Sequence, residues 1–327
     1  MSTDVSTPLA AASPASGSAP SKPVRPFYWS LRRELWEHRS IYLAPGVVAA
    51  LLLLALLIAA LKLPASMASF DTFAPQQQLE IVSAPYAMVA LVLMLTSMIV
   101  VLFYCLDALY GERRDRSALF WKSLPVSDWT TVLAKLAVPM LVVPAFLFVL
   151  ISATQLIVLI GNVLLWMARG LSVSNLLLQL PLLDMPLGVA HFLITLAIWY
   201  APIYAWLLLV SAWAQRSPVV WAIVPWVALV AFERLMLGTS RVLGWLRDRF
   251  FGSFDAAFTT RETIAETVER LQKPGADAAN AIAHGSDHTP DVLRFLSNPN
   301  VWIGLVFAAV LITATVWLRR RQESQSS

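Results

Sequence analysis

Few residues in this chain have the types and spacing that chemistry requires. His284 and His288 lie four residues apart on either side of Asp287, a spacing that could place metal ligands on one face of a helix. The glycine and proline beside them favour a loop instead, so we predict no metal site there. There is no G-x-x-x-x-G-K-S/T phosphate loop, no H-E-x-x-H and no G-x-S-x-G motif, and the single Cys105 excludes an internal disulfide. The sequence therefore predicts neither a catalytic residue nor a bound cofactor.

Three polar side chains interrupt long apolar runs and are the candidate substrate-path residues. Gln155 and Asn162 are seven residues apart, which places them on one face of a helix, and His191 lies near the start of another apolar run. Polar groups inside a membrane either line a transport path or hydrogen-bond to a neighbouring helix. We favour the second interpretation and keep the first as the alternative.

The stretch 106–135 is charged and aromatic, whereas the segments on both sides of it are apolar. A charged run at 112–116 precedes a group of large apolar side chains, Leu119, Phe120 and Trp121. Such a sequence is typical of a helix that lies at a membrane surface. A short polar turn would be enough to connect two spans, so this longer stretch needs another explanation.

Two further features divide this stretch into helical pieces. Pro125 ends the first helix, because proline lacks an N–H donor and restricts the residue before it. Ser127 and Asp128 are suited to the start of the next helix, as its cap and first-turn acid. We interpret 106–135 as a docking surface for another protein. The alternative is a charged loop that tryptophan anchors at the interface.

The composition identifies the elements that must position these residues. Of 327 residues, 58% are hydrophobic and 13% charged, and the mean hydropathy is +0.67. These values lie outside the soluble globular range and predict a polytopic membrane protein. The basic residues cluster beside apolar spans, so they indicate membrane topology rather than nucleic-acid binding.

The predicted fold class is all-α, with about six transmembrane helices. The expected spans are 41–61, 86–106, 136–166, 188–213, 219–237 and 301–318. The first five form a membrane region over 41–237, with 300–327 as the last span and its basic tail. Pro139 and Pro144 predict a distortion where the third span begins.

The remaining segments are predicted to lie outside the hydrocarbon. Residues 1–26 are expected to form a disordered cytoplasmic tail, and 27–40 an interfacial amphipathic helix. In that helix we expect Tyr28, Leu31 and Leu35 toward the membrane, with Arg33, Glu34 and Glu37 on the opposite face. Residues 238–299 are expected to form an external segment, helical over 241–253 and 259–271.

The distribution of positive charge predicts the sidedness. With both termini in the cytoplasm, the cytoplasmic segments contain about 14 Lys and Arg, whereas the short external loops contain Lys62 and Arg169. We therefore expect a multi-pass protein of the bacterial cytoplasmic membrane, with 106–135 on the cytoplasmic side.

The charged stretch resembles a segment of the membrane subunits of ABC-2 type exporters, the permease family of ATP-binding-cassette transporters. The matching residues are Tyr110-Gly111-Glu112-Arg113, Leu119, Leu124-Pro125-Val126-Ser127 and Lys135. The order of elements is also similar over nearly the whole chain, from the amphipathic helix to the last span. The external segment 238–299 departs from the family, since it is longer than the re-entrant helices often found there.

The resemblance implies that 107–135 contains a coupling helix, which docks into a pair of separate ATPase subunits that bind ATP and Mg. The docking residues it implies are Glu112, Arg113, Leu119, Phe120, Trp121, Leu124 and Pro125. It further implies that this chain forms a homodimer, or a heterodimer with a similar permease, and exports a substrate by alternating access. A non-transporting membrane scaffold is the alternative. A membrane enzyme is less favoured, because Asp107, Asp184 and His191 are scattered along the chain.

Overall fold

The computed structural model describes residues 26–62, 75–114, 127–168, 184–253, 258–259, 289–290 and 292–324. The helices in these ranges are α1 (Pro26–Glu37), α2 (Ser40–Lys62), α3 (Pro75–Asp107), α4 (Tyr110–Arg114), α5 (Asp128–Ala137), α6 (Val143–Ala168), α7 (Asp184–Trp199), α8 (Ala201–Trp213), α9 (Pro218–Leu237), α10 (Arg241–Phe251), α11 (Val292–Ser297) and α12 (Pro299–Ser324). A π-helical turn, Val138–Val142, joins α5 to α6, and two-residue strands β1 (Phe258–Thr259) and β2 (Thr289–Pro290) pair antiparallel.

Five helical segments are long and apolar enough to cross a membrane, and there are six if α7 and α8 form one broken span. The predicted all-α, multi-pass architecture is therefore confirmed at this level. The helices α8 and α12 make the most extensive contact, and α3 packs against α2, α6 and α8. Fully buried apolar side chains such as Leu93, Ile151, Leu208 and Val316 form the centre. By contrast, α2 and α9 expose most of their apolar surface.

The second span begins earlier than predicted. Its helix starts at Pro75, so the polar triplet 76–78, which we expected in an external loop, belongs to α3. Proline is favourable at the first position of a helix, because the N–H that it lacks would have no partner there. The distortion predicted at the start of the third span is confirmed, since Pro139 lies in the π-helical turn.

The fourth span is broken, whereas we predicted a continuous helix over 188–213. The helices Met185–Trp199 and Ala201–Trp213 are bent by 46° at Tyr200, whose backbone angles are φ −86° and ψ 0°. Pro202 is near the start of α8, where its missing donor and its ring end the ladder of the preceding helix. The continuous-span prediction was wrong because it ignored this proline.

The break positions the amphipathic helix α10. Trp199 Nε1 donates to the carbonyl of Arg249 at 2.9 Å, and the Tyr200 hydroxyl donates to the carbonyl of Phe250 at 2.7 Å. Both bonds satisfy carbonyls in the last turn of α10, which have no partner within their own helix. The C-terminal end of α10 is therefore attached to the bend between α7 and α8.

The start of α10 is held by the end of α9. The Glu233 carboxylate accepts hydrogen bonds from the backbone N–H groups of Arg241 and Val242 at 2.7 and 2.8 Å, and from the Thr239 hydroxyl at 2.6 Å. Gly238 makes the reversal possible with φ +63°, a conformation that favours glycine. Glu233 thus acts as a cap for α10, a role that the sequence did not indicate.

Several predictions fall wholly or partly outside the described residues. These are the disordered tail up to residue 25, the central part of the charged stretch at 115–126, and most of the polar helix predicted over 259–271. Thr259 itself lies in β1 rather than at a helix start, and Thr289 and Pro290, which we predicted to be loop, form β2.

Candidate functional site

The amphipathic helix α1 turns one acidic side chain inward and its aromatic side chains outward. Glu34 is 3% exposed, whereas Tyr28, Trp29 and Trp36 are each more than half exposed. The predicted helix is confirmed, but the placement of Glu34 on the water-facing side was wrong. Its carboxylate is buried because α3 and α5 supply partners for it. The Arg32 guanidinium lies 5.3 and 5.5 Å from the Trp29 and Trp36 rings.

Lys135 of α5 is the fully buried cation beside Glu34. Its Nζ lies 2.7 Å from Glu34 Oε1 and 3.1 Å from Glu112 Oε1. The Tyr104 hydroxyl donates to the other oxygen of Glu34 at 3.1 Å. A buried ammonium is stable only where carboxylates surround it, so this position requires both acids.

Glu112 of α4 connects this pair to two arginines. Arg33 Nη2 lies 3.4 Å from its Oε1, and Arg319 Nη1 lies 3.2 Å from its Oε2. Burial opposes ionisation of a carboxyl group, but the three cations around Glu112 favour the charged form. Glu112 is therefore the residue at which α1, α5 and α12 meet.

Asp128 extends the same network to the start of α5. Its Oδ1 lies 3.4 Å from Arg319 Nε. The neighbouring Ser127 caps α5, because its Oγ accepts a hydrogen bond from Thr130 N at 3.2 Å. The predicted cap and first-turn acid are thus confirmed, and Asp128 also pairs with the end of the last span.

We refer to Arg33, Glu34, Glu112, Asp128, Lys135 and Arg319 as the ion-pair cluster. It contains three carboxylates and three cations, so its formal charge is zero. The six residues come from α1, α4, α5 and α12, and they connect both ends of 107–135 to the rest of the bundle. Loss of one partner would leave an uncompensated charge, which costs more than the pair itself contributes.

A metal ion is not required to satisfy this region. Among the described residues, the ligand atoms of Glu34, Glu37 and His38 lie within 4.8 Å of one another, close enough to share a metal. However, Glu34 already pairs with Lys135, and Glu37 Oε1 lies 2.7 Å from Arg33 Nε. The His38 ring packs edge-on against Tyr104 with centroids 4.8 Å apart. The internal cations therefore occupy the position that a metal would neutralise.

Arg113 holds α4 to the end of α8. Its Nη2 donates to the carbonyls of Ser211 at 2.6 Å and Ala214 at 2.8 Å. The Ser211 hydroxyl in turn accepts hydrogen bonds from the backbone N–H groups of Leu109 and Tyr110 at 3.0 and 2.9 Å. A cation at the C-terminal carbonyls of a helix also interacts favourably with the helix dipole.

Replacing Arg113 by Met should lower the free energy of unfolding by about 2 kcal/mol, because the carbonyls of Ser211 and Ala214 lose a charged donor. The measurement is denaturant unfolding in detergent micelles, followed by tryptophan fluorescence. Arg216→Met is the matched control, since Arg216 is exposed at the same end of the bundle. Equal stability of the two variants would contradict this role of Arg113.

The predicted docking residues divide into two sets. Glu112 and Arg113 direct their charged groups toward the protein's own helices, as described above. The other five lie in 115–126, outside the described residues: Leu119, Phe120, Trp121, Leu124 and Pro125. Docking through those five side chains stays a prediction, whereas Glu112 and Arg113 position the stretch that carries them.

Two of the candidate path residues meet at Tyr86. Gln155 Nε2 donates to the Tyr86 carbonyl at 3.2 Å, and Asn162 Nδ2 donates to its hydroxyl at 3.3 Å. These bonds join α6 to α3, as expected for polar residues that hold membrane helices together. His191 is partly buried on α7, a different helix. The role of all three in a substrate path stays a prediction.

Comparisons with models of protein families, with curated proteins and with solved structures find no match to this chain. The function must therefore be inferred from the residues and their geometry.

Sequence reasoning identified Glu112 and Lys135 but not the cluster they belong to. Glu34 and Arg319 were assigned to a water-facing side and to a terminal anchor, respectively. A usable signal was present, because each of these charges lies within a few residues of an apolar span. A charge in that position needs a partner, although the sequence does not show which one.

Proposed function

We propose that this chain is the transmembrane permease subunit of an ABC-2 type exporter, driven by a separate pair of ATPase subunits that dock on 107–135. The observation that carries the proposal is the ion-pair cluster, which joins both ends of this stretch to α1 and to the end of α12. The chain would hydrolyse no ATP itself, and ATP and Mg would bind to the partner subunits.

The cluster supports this mechanism because it couples four elements mechanically. A push on the docking stretch moves Glu112 and Lys135, and these residues pull on Arg33, Glu34 and Arg319 through charged contacts of 2.7 to 3.4 Å. A low local dielectric strengthens such contacts, so the elements move together rather than separately. Packed helices can then shift between two discrete arrangements.

A second membrane subunit completes the proposed transporter. The helices α2 and α9 expose most of their apolar surface in the single chain. A second copy, or a similar permease, can pack against this surface and form a pathway between the two halves. Because Gln155 and Asn162 bond to Tyr86, we assign them to holding α3 and α6 together within each half.

Co-expression with an ATPase that is encoded beside this chain tests the proposal. We expect the two proteins to copurify in detergent as a complex of two membrane chains and two ATPase chains, measured by light scattering. The complex should localise to the cytoplasmic membrane, with both termini of this chain accessible only from the cytoplasm. Failure of the ATPase to bind, or an external terminus, would contradict the proposal.

A non-transporting membrane scaffold is the second candidate. It is favoured by the hydrogen bonds of Gln155 and Asn162, since these side chains then need not contact a substrate. A scaffold could bind an ATPase through the same stretch, but ATP would not change the arrangement of its spans. Spin-label distances between α2 and α9, with and without ATP, distinguish the two candidates.

A further inference from the structure

A groove of about 740 Å³ opens on the side of the bundle between α3, α8, α9, α10 and α12. Its walls are almost entirely apolar and rich in aromatic rings, with Trp226 stacked on Trp245 at 5.8 Å between centroids. At its rim, Phe103, Ile223 and Val227 are each more than half exposed. The groove is therefore open to whatever surrounds the spans.

Arg249 is the charged residue that lines this groove. It is 3% exposed, and its guanidinium lies 4.8 Å from the Trp199 ring and close to the backbone of Gly304. Nη1 donates to the carbonyl of Asn300 at 3.3 Å, whereas the buried Nε has no hydrogen-bond partner. No carboxylate among the described residues pairs with Arg249. Burying a cation without an anion is costly, so the site lacks a negative charge.

The dimensions of the groove indicate what could supply that charge. From Val219 to Ala231 its wall follows α9 for twelve residues, or about 18 Å. One leaflet of a bilayer has a hydrocarbon depth of about 15 Å, half of the full core. Arg249 lies about one helical turn from the start of α12, which is the depth of a lipid headgroup rather than of the membrane centre.

We propose that this groove binds an anionic phospholipid, with one acyl chain along the aromatic wall and its phosphate paired with Arg249. The phosphate oxygens accept hydrogen bonds from Nε and the outward-facing guanidinium N–H groups, which removes the unpaired charge. The acyl chain covers the rim that the helices leave open. This site is independent of ATPase docking, since the ion-pair cluster lies at the opposite end of α12.

Native mass spectrometry of the purified full chain tests this site. The protein is released from micelles that contain equal amounts of dioleoyl phosphatidylglycerol and dioleoyl phosphatidylcholine. We expect the first retained lipid to be phosphatidylglycerol by at least about fivefold. In Arg249→Gln this preference should fall to less than twofold, because only an anionic headgroup gains from the guanidinium. An intact preference in Arg249→Gln, or none in the unmodified chain, would overturn the proposal.

Arg247→Gln is the matched control, because Arg247 is exposed on the same helix, two residues away. It removes the same charge and should keep the preference; its loss there would reveal a general surface effect and overturn the assignment to Arg249. If Arg249→Gln does not fold, Ala231→Phe fills the groove without altering its charge and should reduce retention of both lipids. Normal retention in that variant, or loss of a dimer instead of a lipid, would also refute the site.

Discussion

Replacing Lys135 by Met should destabilise the protein by about 3–5 kcal/mol, the largest effect we expect from a single substitution. The methionine fills a similar volume, but Glu34 and Glu112 then face each other without the ammonium that lies 2.7 and 3.1 Å from them. The free energy of unfolding in detergent micelles, measured by tryptophan fluorescence against denaturant, gives the size of the loss.

Two further variants separate the charge from the packing. Arg320→Met is the control, because Arg320 belongs to the same end of the bundle but its side chain is 60% exposed. Its effect should be within about 0.5 kcal/mol. Adding Glu34→Gln to Lys135→Met should recover part of the stability, since it removes one of the two facing carboxylates. If Lys135→Met is as stable as the control, the cluster does not hold these helices together.

Replacing Leu119, Phe120 and Trp121 together by Ala should weaken binding of the ATPase by at least about 30-fold. Buried aromatic anchors commonly contribute 2 kcal/mol or more each to an interface, and 1.4 kcal/mol corresponds to a tenfold change in Kd. The affinity is measured by biolayer interferometry with the membrane chain immobilised in nanodiscs.

The triple replacement of Leu235, Met236 and Leu237 by Ala is the matched control. These residues are also three consecutive large apolar side chains, and they are exposed at the end of α9. The control should bind the ATPase with unchanged affinity. Equal affinity of both triple variants would show that the ATPase does not dock on residues 119–121.

The fold was predictable from the sequence where one strong force determines it. Long apolar runs are stable only as membrane-spanning helices, which is why α2, α9 and α12 occur close to their predicted bounds. The errors arose from local backbone chemistry. Pro202 breaks the fourth span, and Pro75 begins α3 rather than ending the loop before it. A proline can begin, bend or end a helix, and packing decides which.

The candidate site was less predictable, because its contacts join residues far apart in the chain. The pair Glu34–Lys135 is separated by 101 positions, and Arg319 is 207 positions from Glu112. Helical periodicity placed Glu34 on a polar face, which it occupies, but that face packs against protein instead of water. Arg249 was missed for the same reason, since its environment comes from α7, α10 and α12 together.

ATP hydrolysis by the partner ATPase in proteoliposomes tests the central claim most directly. The rate is measured with the intact chain, with the 119–121 triple variant, with the 235–237 control, and without any membrane chain. We predict that the intact chain and the control raise the rate equally, and that the triple variant leaves it at the value without a membrane chain. Equal stimulation by the 119–121 variant, or none by the intact chain, would contradict the proposal that this stretch couples an ATPase to the membrane helices.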